Sequence, residues 1–227
     1  MGPSAPELIA PDGSPVAVFA ALPPGPGPAM IHARLPAFAS VLDLGCGAGR
    51  LSAPLADLGH PVTAVDVSPS MLAAVDGRVR TVCADIAGLD LGTRFDGVVL
   101  ASYLVNHHRA AAFLATCARH VAPHGMVFVQ RYDPLWLRDA TPDATAVGNV
   151  TVAVDRFAFG PAPRQVRFAV TYRVDSRHWV QVVEAVIQDD DDVAVVARTA
   201  ALDLEEWLDE HRTWALLRPN PSPNRGA

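Results

Sequence analysis

The sequence predicts an α/β fold: a mostly parallel sheet flanked by helices, carrying an antiparallel β insertion late in the chain. Three observations predict it. Val41-Leu42-Asp43-Leu44 is a short apolar run that passes straight into Gly45-Cys46-Gly47-Ala48-Gly49 and then into a helical pattern, the strand–turn–helix order of a crossover unit. Further apolar runs at 61–66, 79–83, 95–101 and 126–131 alternate with helix-patterned stretches. Residues 148–188 change to the period of two that marks a half-buried strand, with Val166, Phe168, Val170 and Tyr172 on one face.

Taken in order, residues 1–28 are rich in proline and glycine and read as a partly ordered leader or a flap, with one short helix at Val16–Leu22. The core domain is expected over 29–147, opening with a helix at 29–37 that Pro36 interrupts. After the first strand and its glycine turn, Leu51, Leu55 and Leu58 give one face of a helix over Arg50–Leu58. The second strand, Pro61–Asp66, precedes Ser68-Pro69, an N-cap followed by a proline at the first helical position. The third strand is Val79–Cys83 and the fourth Phe95–Ala101. The loop Ser102–His108 then enters a helix over Arg109–Val121, with Cys117 as a small core residue. Pro123-His124-Gly125 turns the chain into the fifth strand, Met126–Arg131.

Three strands joined by hairpin turns make up the insertion at 148–188: Val150–Val154, Gln165–Val174 and Trp179–Ile187. The turns are Gly160-Pro161-Ala162-Pro163 and Asp175-Ser176-Arg177-His178, and Trp136 is expected to pack against this sheet. Residues 189–218 complete the core. Asp189–Asp192 opens a helix to Ala200, where carboxylates offset unpaired N–H groups, and Leu202–Leu208 and Thr213–Leu217 are the last two strands. Residues 219–227 read as a disordered tail.

Composition narrows the function classes. Half of the 227 residues are hydrophobic, which supports a real core. Formal net charge is −6, and the 18 basic residues are all arginine. No basic cluster appears, so no nucleic-acid partner is expected. The three cysteines, Cys46, Cys83 and Cys117, have neither metal-ligand nor disulfide-framework spacing and suit a reducing, cytoplasmic setting. No run is apolar for long enough to span a membrane, the N-terminus lacks the basic segment of a signal peptide, and no metal is expected.

The glycine turn decides among ligands. A dinucleotide fingerprint would need glycine at position 50, where Arg50 stands. The pattern present is Asp43-x-Gly45-x-Gly47-x-Gly49, and Val65-Asp66-Val67-Ser68-Pro69-Ser70-Met71-Leu72 follows the second strand. With Ala84-Asp85-Ile86 after the third strand, these residues resemble the class I, Rossmann-like, S-adenosylmethionine-dependent methyltransferases of small molecules. The resemblance runs unbroken through the fourth strand to Leu100. It implies a seven-stranded sheet in the order 3-2-1-4-5-7-6, with the last strand antiparallel, and S-adenosyl-L-methionine as cofactor, released as S-adenosyl-L-homocysteine. By the same resemblance Asp43 helps hold the methionine ammonium, and Gly45, Cys46, Gly47 and Gly49 approach that end of the ligand. Asp66 accepts from the ribose hydroxyls, with Val67 and Met71 beside it. Asp85 meets the adenine amino group and Ile86 the ring, while Ala101 closes the strand end.

Three residues are candidates for catalysis. His107 and His108 leave the fourth strand at its carboxyl end, and histidine takes a proton near neutrality; Tyr132 stands at the end of the fifth strand. The reading is therefore methyl transfer to an oxygen or nitrogen nucleophile of a small molecule, in specialised metabolism. The alternative is a methyltransferase-fold protein that keeps the cofactor but catalyses another reaction, such as cyclisation. The apolar face of the insertion needs cover, either as a roof over the substrate or as a homodimer contact.

Overall fold

The computed structural model describes residues 8–162 and 164–220. Residues 1–7 of the leader, Pro163 of the expected turn and 221–227 of the expected tail lie outside the described residues. Along the chain come α1 (Val16–Ala21), α2 (Gly27–His32), β1 (Val41–Leu44), α3 (Ser52–Asp57), β2 (Val62–Asp66), α4 (Pro69–Leu72), β3 (Arg80–Cys83) and β4 (Phe95–Leu100). A single 3-10 turn at Leu104–Asn106 leads to α5 (Ala110–His120), β5 (Val121–Gln130) and α6 (Pro134–Asp139). Then follow β6 (Asp143–Val147), β7 (Val150–Phe159), β8 (Gln165–Val174), β9 (Arg177–Val186), α7 (Asp190–Thr199), β10 (Leu202–Trp207) and β11 (Trp214–Pro219).

Seven strands form one sheet in the order β3-β2-β1-β4-β5-β11-β10. All neighbours are parallel except β11, which runs antiparallel between β5 and β10. This is the expected 3-2-1-4-5-7-6 arrangement. β1 lies at its centre, with Leu42 opposite Thr63 on one side and Val98 on the other. It is buried throughout because both sheet faces are covered. Leu42 and Leu44 pack with Val98, Leu100, Leu114 and Cys117 toward α5 and α7. Val41 packs with Ile31 and Leu55 toward α2 and α3. Asp43 shares the second face by strand alternation, which places its acid beside α3.

Several local boundaries differ from the expectation. α2 starts at Gly27 with Pro28 in its first turn and ends at His32, so Pro36 lies outside it. β5 begins at Val121, directly after α5. Val121 pairs with Phe95 and Met126 with Gly97, and the register shift between them pushes Pro123-His124-Gly125 out as an irregularity within one strand. β11 runs to Pro219, two residues past its expected end at Leu217. Asp133-Pro134 starts a helix: the Asp133 carboxylate accepts from the Leu135 N–H at 2.8 Å and Pro134 occupies the first turn of α6.

The antiparallel sheet has four strands, β6-β7-β8-β9, rather than three. β6 and β7 meet in a two-residue hairpin closed by the Val147–Val150 pair, with Gly148 at φ +62°, and β7 continues to Phe159 through a register shift after Asp155. The face carrying Val166, Phe168, Val170 and Tyr172 finds its cover within the chain. Val18, Phe19 and Leu22 of the α1 region and Trp136 and Leu137 of α6 join the same apolar cluster. A second subunit is therefore not needed to bury that face, and the reading of Phe168 as a dimer contact is replaced by a core role. Among the described residues, no helix is long and apolar enough to cross a membrane.

The acidic run at 189–192 opens α7, as expected. Asp192 accepts from the Asp189 N–H at 2.8 Å. Each acid with a partner meets an arginine: Asp189 meets Arg138, Asp190 meets Arg131 and Arg212, and Asp192 meets Arg164. Among the described residues, no group of three or more histidine, cysteine, aspartate or glutamate side chains is placed to hold a metal.

Candidate active site

The site sits at the carboxyl ends of β1, β2 and β4. The turn after β1 is possible because Gly45, Gly47 and Gly49 all adopt positive φ, at +73°, +54° and +83°. A Cβ on Gly45 would overlap the Leu104 side chain, and one on Gly49 would press on Val75 at 3.1 Å. Above Gly47 there is room, the nearest atom to such a Cβ being Phe19 Cδ1 at 3.9 Å. The Gly45 and Cys46 N–H groups donate to the Val65 carbonyl at 2.8 and 3.0 Å, tying the turn to β2. Cys46 acts through its backbone; its thiol is buried, which pushes its pKa up, and points at the Gly47 carbonyl.

Asp66, at the end of β2, fixes the turn. Its Oδ2 accepts from the Gly47 N–H at 2.9 Å and its Oδ1 from the Ser68 N–H at 2.9 Å. Ser68 caps α4 through the Met71 N–H. Met71 is buried against Ala10 and Val16, so the segment leading into α1 lies over this end of the site, whereas Val67 is exposed. Ile86 is buried and its carbonyl accepts from the Thr116 hydroxyl at 2.8 Å. Asp85 is bonded to Arg109 at 2.7 Å, which lowers its pKa. Ala101 is buried at the end of β4.

Asp43 is 2% exposed and accepts from the Ser52 hydroxyl at 2.5 Å. Burial pushes its pKa up to about 6, against the pull of Ser52 and Arg50 in the other direction. The unfolded carboxyl titrates near 3.8, so between the two values the native state keeps a proton that the unfolded chain has lost. Stability from this group is therefore full below the unfolded pKa and falls as pH rises to the native one. Asp43→Asn is expected to raise the melting temperature of the cofactor-free protein at about pH 7.5, by of order 2–3 kcal/mol of stability, and to leave it unchanged near pH 4. Equal shifts at both pH values would show that the acid does not titrate in this window.

The loop after β4 carries the least legible part of the site. Ser102 and Tyr103 are consecutive non-glycine residues at φ +53° and +63°, a conformation held only where surroundings enforce it. The Ser102 N–H donates to Gln130 Oε1 at 3.0 Å. The Tyr103 ring lies 3.8 Å from that of Tyr132, nearly parallel at 13°. Tyr132 in turn stacks on Trp136 and meets Phe168 edge-on, each at 5.7 Å. Asn106, buried, holds the arrangement: its amide donates to the Val186 carbonyl and accepts from the Tyr132 N–H, both at 2.9 Å. Tyr172 reaches in from β8 with its ring 6.0 Å from Phe19. The chain's three tyrosines thus come from three distant segments to one place. Burial raises the pKa of all three, so each stays a neutral phenol.

The two histidines differ. The Arg109 N–H donates to His107 Nδ1 at 3.1 Å, which leaves the ring hydrogen on Nε2 in the neutral form. Burial, the neighbouring His108 and Arg109 lower the His107 pKa, so the neutral form is favoured. His107 stacks on Phe113 at 5.4 Å and lies tilted by 33° against His108 at 4.0 Å. His108 is exposed and opens on a groove of about 380 Å³ whose walls include Phe159, Val166 and Val186.

Residues 41–125 match the family model described as a methyltransferase domain. Over this stretch the chain is similar to methyltransferase domains. Its curated relatives include the ubiquinone biosynthesis O-methyltransferase of Xanthomonas axonopodis pv. citri, 37% identical over 111 residues, 44% of this chain and 46% of that protein. The chain thus aligns with less than half the length of the curated relatives it matches. Solved structures match over more of its length. The CcbJ methyltransferase of Streptomyces caelestis has a TM-score of 0.71 at 22% identity, covering 88% of this chain and 92% of that one. The sugar N-methyltransferase KedS8 of Streptoalloteichus sp. has a TM-score of 0.68 at 20% identity, covering 96% and 97%. At these identities the structures establish a shared fold that includes the antiparallel sheet as well as the methyltransferase domain. Tyr103, Asn106 and Ser52 are residues of the site that sequence reasoning passed over. For Ser52, the one usable signal is its place in the first turn of the helix after the glycine turn, next to a strand acid.

Proposed function

We propose that the protein transfers a methyl group from S-adenosylmethionine to an oxygen or nitrogen of a small molecule, in specialised metabolism. The observation that carries this reading is the cradle at the end of β1: a turn of three positive-φ glycines, closed by the Asp66 carboxylate, with open space above Gly47. That cradle fits the cofactor. Asp43 and the glycines would hold its methionine end, Asp66 with Val67 and Met71 its ribose, and Asp85, Ile86 and Ala101 the region of its base. Bound there, the cofactor supplies an electrophilic methyl. Alignment of the acceptor with that methyl can account for ~7–11 kcal/mol of barrier.

The chain's own contribution is to orient and to exclude water. Tyr103 and Tyr132 offer stacked rings at the strand ends, and as neutral phenols they serve as hydrogen-bond donors rather than bases. His107 has its Nδ1 lone pair engaged by Arg109, which suits an orienting role. His108 makes no hydrogen bond among the described residues and is the histidine left to take a proton. Residues 8–28 serve as the cover over the glycine turn. The place in specialised metabolism draws support from the structural relatives named as sugar and amino pentose methyltransferases, one of them involved in calicheamicin biosynthesis. The test is methyl-label transfer from S-adenosylmethionine into fractionated small-molecule extracts, with release of S-adenosylhomocysteine. Acceptor-dependent product formation with the label left on the cofactor would instead favour the non-methylating reading.

A further inference from the structure

The antiparallel sheet buries one face under α1 and α6 and leaves much of the other in contact with water. A solvated face normally carries polar residues at its outward positions. Here the charged ones stand only toward the strand ends. Along β9 the outward series is His178, Val180, Val182 and Glu184, with Val180 and Val182 49% and 47% exposed. Register carries the uncharged middle across all four strands: Val180 lies opposite Thr171, Thr171 opposite Ala153 and Ala153 opposite Ala144. In the next row Val182 lies opposite Ala169. Alanine is depleted in strands and valine is costly to leave wet, so this middle suits a covered sheet.

The charges of the face sort by end. Arg173 and His178 lie opposite each other and make no ion pair among the described residues. Toward the other end stand the acids, Asp155 beside Arg156 at 3.0 Å and Glu184 beside Arg167 at 3.9 Å. A second copy, turned over about a twofold axis that crosses the strands, brings each end onto its opposite. β9 then lies over β9 of the second copy. Val180 meets Val182 of that copy, His178 meets its Glu184, and Arg173 comes over its Arg167–Glu184 pair. The size is sufficient. Three ten-residue strands at ~4.8 Å spacing and ~3.4 Å per residue give a footprint of roughly 15 by 34 Å, which β6 widens. Side-chain relief brings the accessible surface toward the ~800 Å² per partner of a standard interface.

We propose that two copies of this chain pack face to face through the outer side of the antiparallel sheet, with the twofold axis between the Val180 and Val182 rows. The uncharged centre supplies the affinity. The ends fix the orientation, since rim charges add little energy but select how two faces meet. The inner face and its Phe168 core stay as they are in one copy.

Light scattering on the full chain is expected to give twice its 24.0 kDa mass. Val182→Arg should give the monomer mass, and so should Thr171→Arg, which lies on an interior strand. Val195→Arg, at a position 53% exposed on α7, should leave the dimer intact, and thermal melts check that each variant is folded. The orientation is tested by exchanging charges at the two ends. His178 and Glu184 are ~20 Å apart on one strand, so they interact only between copies. Glu184→Arg and His178→Glu are each expected to raise the dimer Kd about threefold or more, and the two together to return it to within about twofold of the wild type. These exposed positions keep the test decisive if Thr171→Arg does not fold. A wild-type monomer at all accessible concentrations would overturn the proposal, as would a dimer that survives both arginine variants. Dissociation by Val182→Arg alone would assign the contact to the β9 edge instead of the face. Single exchanges that the double exchange fails to rescue would refute this orientation.

Discussion

Replacing Asp66 with alanine is expected to raise the Kd for S-adenosylmethionine at least tenfold while the protein stays folded. The carboxylate holds two backbone N–H groups, of Gly47 and Ser68, and on the proposed reading it also accepts from the ribose. Each charge-assisted hydrogen bond is worth about 1.5–3 kcal/mol. Losing the ribose contact alone accounts for a factor of ten or more, and a loosened glycine turn adds to it. Asp66→Asn keeps one acceptor oxygen and should fall between the two. The measurement is calorimetry beside a thermal melt. An unchanged Kd in a folded alanine variant would place the ligand elsewhere on the protein.

The second large effect belongs to Phe168. Its ring is 1% exposed and sits among Tyr132, Trp136 and Phe157 at centroid distances of 5.7, 5.6 and 5.4 Å. Phe168→Ala is expected to cost about 3–5 kcal/mol, as for other buried aromatic truncations. At ~2–4 °C per kcal/mol for a chain of this size, the melting temperature should fall by roughly 6–20 °C. Molecular mass should not change, because the ring is covered by its own chain. A variant that melts like the wild type but halves in mass would restore the dimer reading.

These two residues also mark what could be read from the sequence. Asp66 was legible because each signal around it is local: a strand, an acid at its end, a serine cap and a proline at the first helical position. The same holds for the glycine turn, whereas the order of the seven strands was implied by the resemblance to the methyltransferase family and not by the strand and helix patterns alone. Phe168 was legible as an inward residue and Trp136 as packing on its sheet, but the cover from α1 was not, since that helix is distant in sequence and short. α6 was hidden in Asp133-Pro134, which signals a helix start as well as a turn. β6 was missed because Asp143–Val147 has small, exposed side chains, although the Gly148-Asn149 pair beyond it was a usable hairpin signal. Tyr103 could not be read at all. Nothing in Ser102-Tyr103 announces two left-handed residues; the fold imposes them through Gln130 and the stacked ring of Tyr132.

Gln181 carries a consequence for how the molecule breathes. Its amide oxygen accepts from the Tyr172 hydroxyl at 3.0 Å, while its nitrogen donates to Ser14 Oγ at 2.9 Å and the Asp12 carbonyl at 3.3 Å. One side chain thus latches the segment ahead of α1 to the antiparallel sheet. With Phe19 resting on Tyr172, these two pieces of the chain form a single shutter. Lifting α1 from the glycine turn would break this latch or draw β9 along with it, so the cover over the turn and the antiparallel sheet are joined as one piece.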